Sequence, residues 1–238
     1  MTVLDTEITP GIVPVRFRPV VLDLYKGIHK GIRSELFALV LEAGRLDPAD
    51  DCSIAAFGEQ LRSVAHLLEH HAQTEDRHIE PVVAEHIPFL AEKIADDHGS
   101  FEHRFAGFVD LADEVRATAG SRRDGVHELY LELAAFTSSY LAHQDLEERV
   151  INPMLEDAIG VDGMVQIHGA IIGTMEPQEL IAGLAVMLPA MNIDDRSELL
   201  GGIKANAPAE AFAGVWSLAG SVLVPADYQA VAQRLGLG

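Results

Sequence analysis

The chain has 238 residues, 48% of them hydrophobic, with 17 Lys and Arg against 37 Asp and Glu for a formal net charge of -20. That length buries a full core with room for an extension. The apolar share excludes a largely disordered chain, and the acidic balance argues against nucleic acid or an anionic membrane surface as partners, since both need clustered Lys and Arg. A lone cysteine, Cys52, excludes an internal disulfide. The start MTVLDTEITP has neither a basic stretch nor an apolar signal core, and no apolar run reaches the roughly 20 residues of a membrane span, so a cytoplasmic protein without membrane contact is expected.

An irregular leader over 1–19 carries Pro10, Pro14 and Pro19. Helical periodicity then runs over 20–43 and stops at Gly44, over 54–84, over 89–119 after Pro88, and over 124–158 after the turn at 120–123. Short links between long helices predict antiparallel neighbours. The expected fold is all-α, an up-down-up-down four-helix bundle over 20–160 with a C-terminal helical extension over 161–238. Pro177, Pro189, Pro208 and Pro225 break the extension into short segments that need packing partners to be stable.

The strongest signal is an internal repeat. HAQTEDRHIEPVV from His71 and HQDLEERVINPML from His143 share the pattern H-x-x-x-E-[DE]-R-x-I-x-P. The intervening helix carries the same spacing at His98 and Glu102, and the first helix contributes a single His29. Residues four apart lie only about 40° apart around a helix, so each His-Glu pair points one way. On the second helix Phe57, Leu61, Val64, Leu67, Leu68, Ile79 and Val82 lie within roughly 80° of His71. Leu129, Leu133, Phe136, Tyr140, Val150, Ile151 and Met154 surround His143 in the same way, and Ala91, Ile94, Phe101, Phe105 and Val109 accompany His98 and Glu102. Glu75, Glu102 and Glu147 are therefore expected inside an apolar bundle, where a carboxylate costs several kcal/mol unless paired or bound to a cation. Protonation or His-Glu hydrogen bonds would satisfy some of them; a metal satisfies the whole set. Imidazoles and carboxylates without a thiolate suit iron, with manganese or zinc as alternatives. The number of donors exceeds one tetrahedral site and suggests a pair of ions about 3.5–4 Å apart.

With these motifs over about 20–158 the chain resembles the hemerythrin-like or HHE cation-binding proteins, whose helices carry H, H-x-x-x-E, H-x-x-x-H and H-x-x-x-[ED]. The resemblance implies two non-haem iron ions with an oxo or hydroxo bridge. It implies that His29 and His71 serve one iron, that His98, Glu102 and His143 serve the other, and that Glu75 and Glu147 bridge them. Glu102 stands where the oxygen-carrying members have a second histidine, which turns the expectation from oxygen carriage toward reaction with peroxide or nitric oxide, or toward sensing.

Four further residues are candidates for a supporting role: Tyr25 and Tyr140, each about one turn before a ligand histidine; His78, two turns beyond His71; and Arg33, one turn after His29. Packing or a solvated surface is the plainer role for each. His66 and His70 point roughly 100–140° away from His71 and are not expected as ligands. Two functions follow: a redox-active di-iron protein for dioxygen, peroxide or nitric oxide, and an iron- or oxygen-sensing module that reports to a protein partner through its C-terminal helices.

Overall fold

The computed structural model describes residues 17–237, so most of the expected leader lies outside the described residues. Among those described there is no strand. The helices are α1 (Lys26–Ala43), α2 (Asp51–His78), α3 (Glu80–His86), α4 (Pro88–Ala117) and α5 (Arg123–Leu146), then a π-helical turn at Glu147–Ile151. There follow α6 (Asn152–Thr174), α7 (Pro177–Ala190), α8 (Ile193–Asn206), α9 (Ala209–Val222) and α10 (Pro225–Leu235).

Local chemistry sets these limits. Asp23 accepts from the backbone N–H of Tyr25 and Lys26, so the first helix begins later than the periodicity at 20 suggested. Asp50 caps α2 by accepting from Cys52 and Ser53, an arrangement worth about 1 kcal/mol. The two copies of the repeat end differently. Pro81 lacks an N–H and crowds the preceding turn, and the helix expected over 54–84 breaks at Ile79. Pro153 holds the same place in the second copy, but there the π turn takes up the mismatch and the chain stays helical into α6. Gly160, at φ 70° and ψ 174°, kinks α6 in a region open essentially to glycine alone. The helix expected to end at 158 thus continues in a new direction to Thr174.

The four long helices α1, α2, α4 and α5 close a cycle: α1 packs on α2 and α5, and α4 packs on the same two. Their shared core runs from Ile32, Leu36 and Leu39 through Leu61, Phe105 and Phe136 to Leu133. A second apolar cluster joins Tyr25, Ile79, Val83, Ile94, Ile151, Leu155 and Ile167, where α3 and α6 cover one end of the cycle. The helices α7–α10 bury a core of their own around Leu188, Leu200, Ala219 and Val231. Buried Arg196 ties that unit together by donating to the carbonyls of Leu188 and Pro189, which end α7, and to Asp227 on α10. The unit lies against α1, so closely that a Cβ at Gly31 would sit 2.7 Å from a Val186 methyl carbon. Lys26 and Lys30 of α1 both pair with the buried Asp195 of α8.

Candidate metal centre

A polar layer separates the two apolar clusters of the bundle. Each long helix crosses it between one residue of either cluster: α1 at His29 between Tyr25 and Ile32, α2 at His71 and Glu75 between Leu68 and Ile79. In α4 His98 lies between Ile94 and Phe101, and in α5 His143 leads into Glu147 between Tyr140 and Ile151. The stripe of Phe57, Leu61, Val64 and Leu68 on α2 centres about 50° past His71, almost on the direction of Glu75. Leu129, Leu133, Phe136 and Tyr140 do the same for Glu147 on α5. His29, His71, Glu75, His98, His143 and Glu147 are all buried.

The imidazoles converge through Nε2 on the two carboxylates. Glu75 turns Oε1 toward His71 at 3.2 Å and His29 at 3.9 Å, and Oε2 toward His98 at 3.3 Å. Glu147 turns Oε2 toward His29 at 3.5 Å, and Oε1 toward His143 at 3.2 Å and His98 at 3.9 Å. The atoms form two groups with cation-binding spacing, one of His29, His71 and Glu75 and one of Glu75, His98, His143 and Glu147. Yet Nε2 of His29 and of His71, both oxygens of Glu75 and Oε2 of Glu147 have no hydrogen-bond partner. Unpaired buried acceptors are expensive. A cation among them is the group that this donor set fits, since it takes up imidazole nitrogens and carboxylate oxygens together.

Carboxylates outside the layer hold the other face of the rings. Nδ1 of His29 meets Glu148 at 3.1 Å, Nδ1 of His98 meets Asp76 at 2.7 Å and Glu80 at 3.5 Å, and Nδ1 of His143 meets Asp97 at 3.4 Å. A proton donated outward from Nδ1 fixes the tautomer that leaves Nε2 free for a metal. The consecutive residues Glu147 and Glu148 reach the two nitrogens of one ring, His29, from the first positions of the π turn.

Burial and the surrounding carboxylates set the protonation of the histidines in this layer. Burial opposes charging of His29, but its bond to Glu148 and the nearby carboxylates of Glu75 and Glu147 outweigh this and raise its pKa to about 9. His98 also rises to about 9 against its burial, through Glu75, Asp76 and Glu147. Burial dominates at His71, which falls to about 3. It also raises Glu147, together with the charge of Glu75, whereas Glu75 is lowered because the surrounding histidines overcome its own burial. Glu148 falls to about 2 despite partial burial, held by His29 and Arg33.

Residues 20–155 match the profile of the hemerythrin HHE cation binding domain. The chain belongs to that family. No curated protein and no solved structure matches it.

Within this hemerythrin-family chain Glu102 departs from expectation. It is exposed and joins neither metal group. The buried stripe of α4, formed by Ile94, Phe101, Phe105, Phe108 and Ala112, centres about 45° to the other side of His98. Glu102 therefore stands roughly 90° off the stripe, while Glu75 and Glu147 stand on theirs. His78 departs as well. The break at Ile79 leaves it half-buried and bonded to Thr174 on α6 at 2.9 Å, away from the layer. Tyr25 and Tyr140 are buried with ring centroids 5.1 Å from His29 and 5.9 Å from His143. Arg33 reaches Glu148 with both guanidinium nitrogens, at 2.8 and 3.1 Å, and so acts on His29 through that carboxylate. His66 is exposed, and His70 faces Glu179 on α7. Asp76 and Glu148 were not singled out from the sequence, although both occupy the [DE] position of the repeat; each crosses to the histidine of a neighbouring helix.

Proposed function

We propose that this hemerythrin-family chain holds two iron ions and binds or reacts with dioxygen, peroxide or nitric oxide. In this reading His29 and His71 serve one ion, His98 and His143 the other, and Glu75 and Glu147 bridge them inside an up-down-up-down bundle. What carries the reading is the splitting of both buried carboxylates, each with one oxygen toward either histidine pair. The alternation of the two apolar clusters along successive helices supports the antiparallel arrangement. Manganese or zinc would accept the same donors, but paired imidazole and bridging carboxylate sites that handle small oxidants suit iron best.

Bound iron supplies the redox change and the coordination position for a small ligand. The chain supplies the rest. Glu148, Asp76 and Asp97 orient the imidazoles; Phe101, Tyr140 and Tyr25 wall the site with apolar surface that excludes bulk water. Burial, the largest influence on both tyrosine hydroxyls, raises their pKa above the usual phenol range and favours the protonated form. They are suited to donate a hydrogen bond to a small anionic ligand. We place the domain limits at 1–19, 20–160 and 161–238, and the protein in the cytoplasm; among the described residues no single helix is long and apolar enough to cross a membrane.

The test is direct. The iron-loaded full chain should consume peroxide or nitric oxide, or give a lasting spectrum with dioxygen after anaerobic reduction, and Glu147→Ala should abolish this along with its iron. An iron-loaded chain inert to all three would favour the second reading, a sensor. That reading has its own support, because α7–α10 lie against α1, the helix that carries His29.

A further inference from the structure

We propose that a cavity at the end of the bundle away from the metal layer binds a small monocarboxylate with an apolar body. The cavity, of about 690 Å³, lies between the last turns of α1 and the first turns of α5, within the usual size range of small-molecule sites. At about 1.5 Å per residue, Ala43 stands roughly 20 Å along α1 from His29, so the cavity is no part of the candidate metal centre. Val40, Leu41, Leu46, Val126 and Tyr130 give it an apolar wall. Leu41 is 59% exposed there, a large aliphatic side chain left in water. The Tyr130 ring lies over the backbone of Gly44, where a Cβ would come within 3.3 Å of it, and His127 stacks on the same ring at 6.3 Å between centroids.

Charge selects the ligand. In a chain with 37 acidic residues against 17 Lys and Arg, most described cations have found a carboxylate: Arg18, Lys26, Lys30, Arg33, Arg62, Lys93, Arg122, Arg196 and Arg234 are all paired. Among the described residues, Arg45 and Arg123, like Arg77, Arg104 and Arg116 elsewhere, make no ion pair and no side-chain hydrogen bond, and these two line one cavity. Two forked donors beside an apolar wall suit a carboxylate attached to an aliphatic or aromatic body. Asp124, on the same wall, opposes a second negative charge and so favours a monoanion over a phosphate dianion.

Octanoate, its neutral analogue octanol and octyl phosphate are the probes. Titrating each into the full-length protein with labelled histidine, and following the His127 resonance assigned through His127→Gln, reads the cavity without any metal-dependent step. Octanoate should shift His127 saturably and bind roughly tenfold more tightly than octanol, the scale of one or two charge-assisted hydrogen bonds at an exposed site. Octyl phosphate should be the weaker anion. Arg45→Gln with Arg123→Gln should bring octanoate down to the affinity of octanol and leave octanol unchanged. Because both arginines are exposed, helicity should be untouched. No saturable shift, equal binding of octanol and octanoate by the parent, octyl phosphate binding more tightly than octanoate, or an unchanged octanoate affinity in the double variant would each overturn the proposal.

Discussion

Glu102 and Glu147 each follow a histidine by one turn, yet one is exposed and the other buried. The expected consequence is measurable: Glu75→Ala and Glu147→Ala should lose most of their bound metal, whereas Glu102→Ala should keep the parental content, as read by elemental analysis after identical loading. Equal losses in all three would return Glu102 to the ligand set. The pair spacing made Glu75 and Glu147 legible in the sequence, but the same spacing misled at Glu102 because the aromatic side chains of α4 shift its buried face to the other side of His98. Phe101, Phe105 and Phe108 hold that signal, had the centre of the stripe been weighed rather than its width. The pH behaviour follows from the histidines. In metal-free protein His29 and His98 are raised from 6.5 to about 9, so their stabilising effect is complete below about 6.5 and is lost as pH rises through 9. His71, lowered to about 3, acts in the opposite direction: the unfolded chain gains its proton first, and stability falls as pH drops below 6.5 toward 3. The melting temperature of verified metal-free protein should therefore be highest near neutral pH and fall by pH 9. Metal uptake at pH 7 should release protons into a weakly buffered solution. Uptake without proton release would contradict the charged state assigned to these two rings.

Between elements, the packing of α7 on α1 shows what a sequence read segment by segment misses. Gly31 carries no turn and no positive φ. Only the approach of Val186 explains it, with its methyl 2.7 Å and its carbonyl oxygen 3.2 Å from a Cβ at that site. In an isolated helix Gly31→Ala would gain up to about 1 kcal/mol of propensity. Here overpacking of about 1–3 kcal/mol should prevail. The variant should melt several degrees lower and expose the α6–α7 connection to limited proteolysis; an increase in melting temperature would mean that α7 does not pack so closely. The repeat supplies the complementary lesson. Its two copies place a proline identically, and the pattern predicts both helical runs, yet α2 breaks at Ile79 while the π turn carries the second copy onward. That choice depends on what covers each end, α3 and α6 in one apolar cluster, and no local window contains it.

At the scale of the molecule, the all-helical class and the family were legible because long periodic helices and a repeated histidine motif are dense signals. The role of the C-terminal unit was not, since its contacts with α1 rest on scattered residues such as Gly31, Val186 and Asp195. The layer of buried histidines and glutamates spans all four long helices, so a metal held there should act as a staple. Removal of metal leaves Glu75 and Glu147 buried among unpaired acceptors and should lower the melting temperature markedly, while the metal-loaded chain gains stability with added ion. The most direct test is Mössbauer spectroscopy with metal analysis on the iron-reconstituted full chain. About two irons per chain, present as a magnetically coupled pair, and loss of both in Glu75→Ala, is the result expected from two carboxylates that each face both histidine pairs. A single isolated iron per chain, or a coupled pair that survives Glu75→Ala, would contradict it.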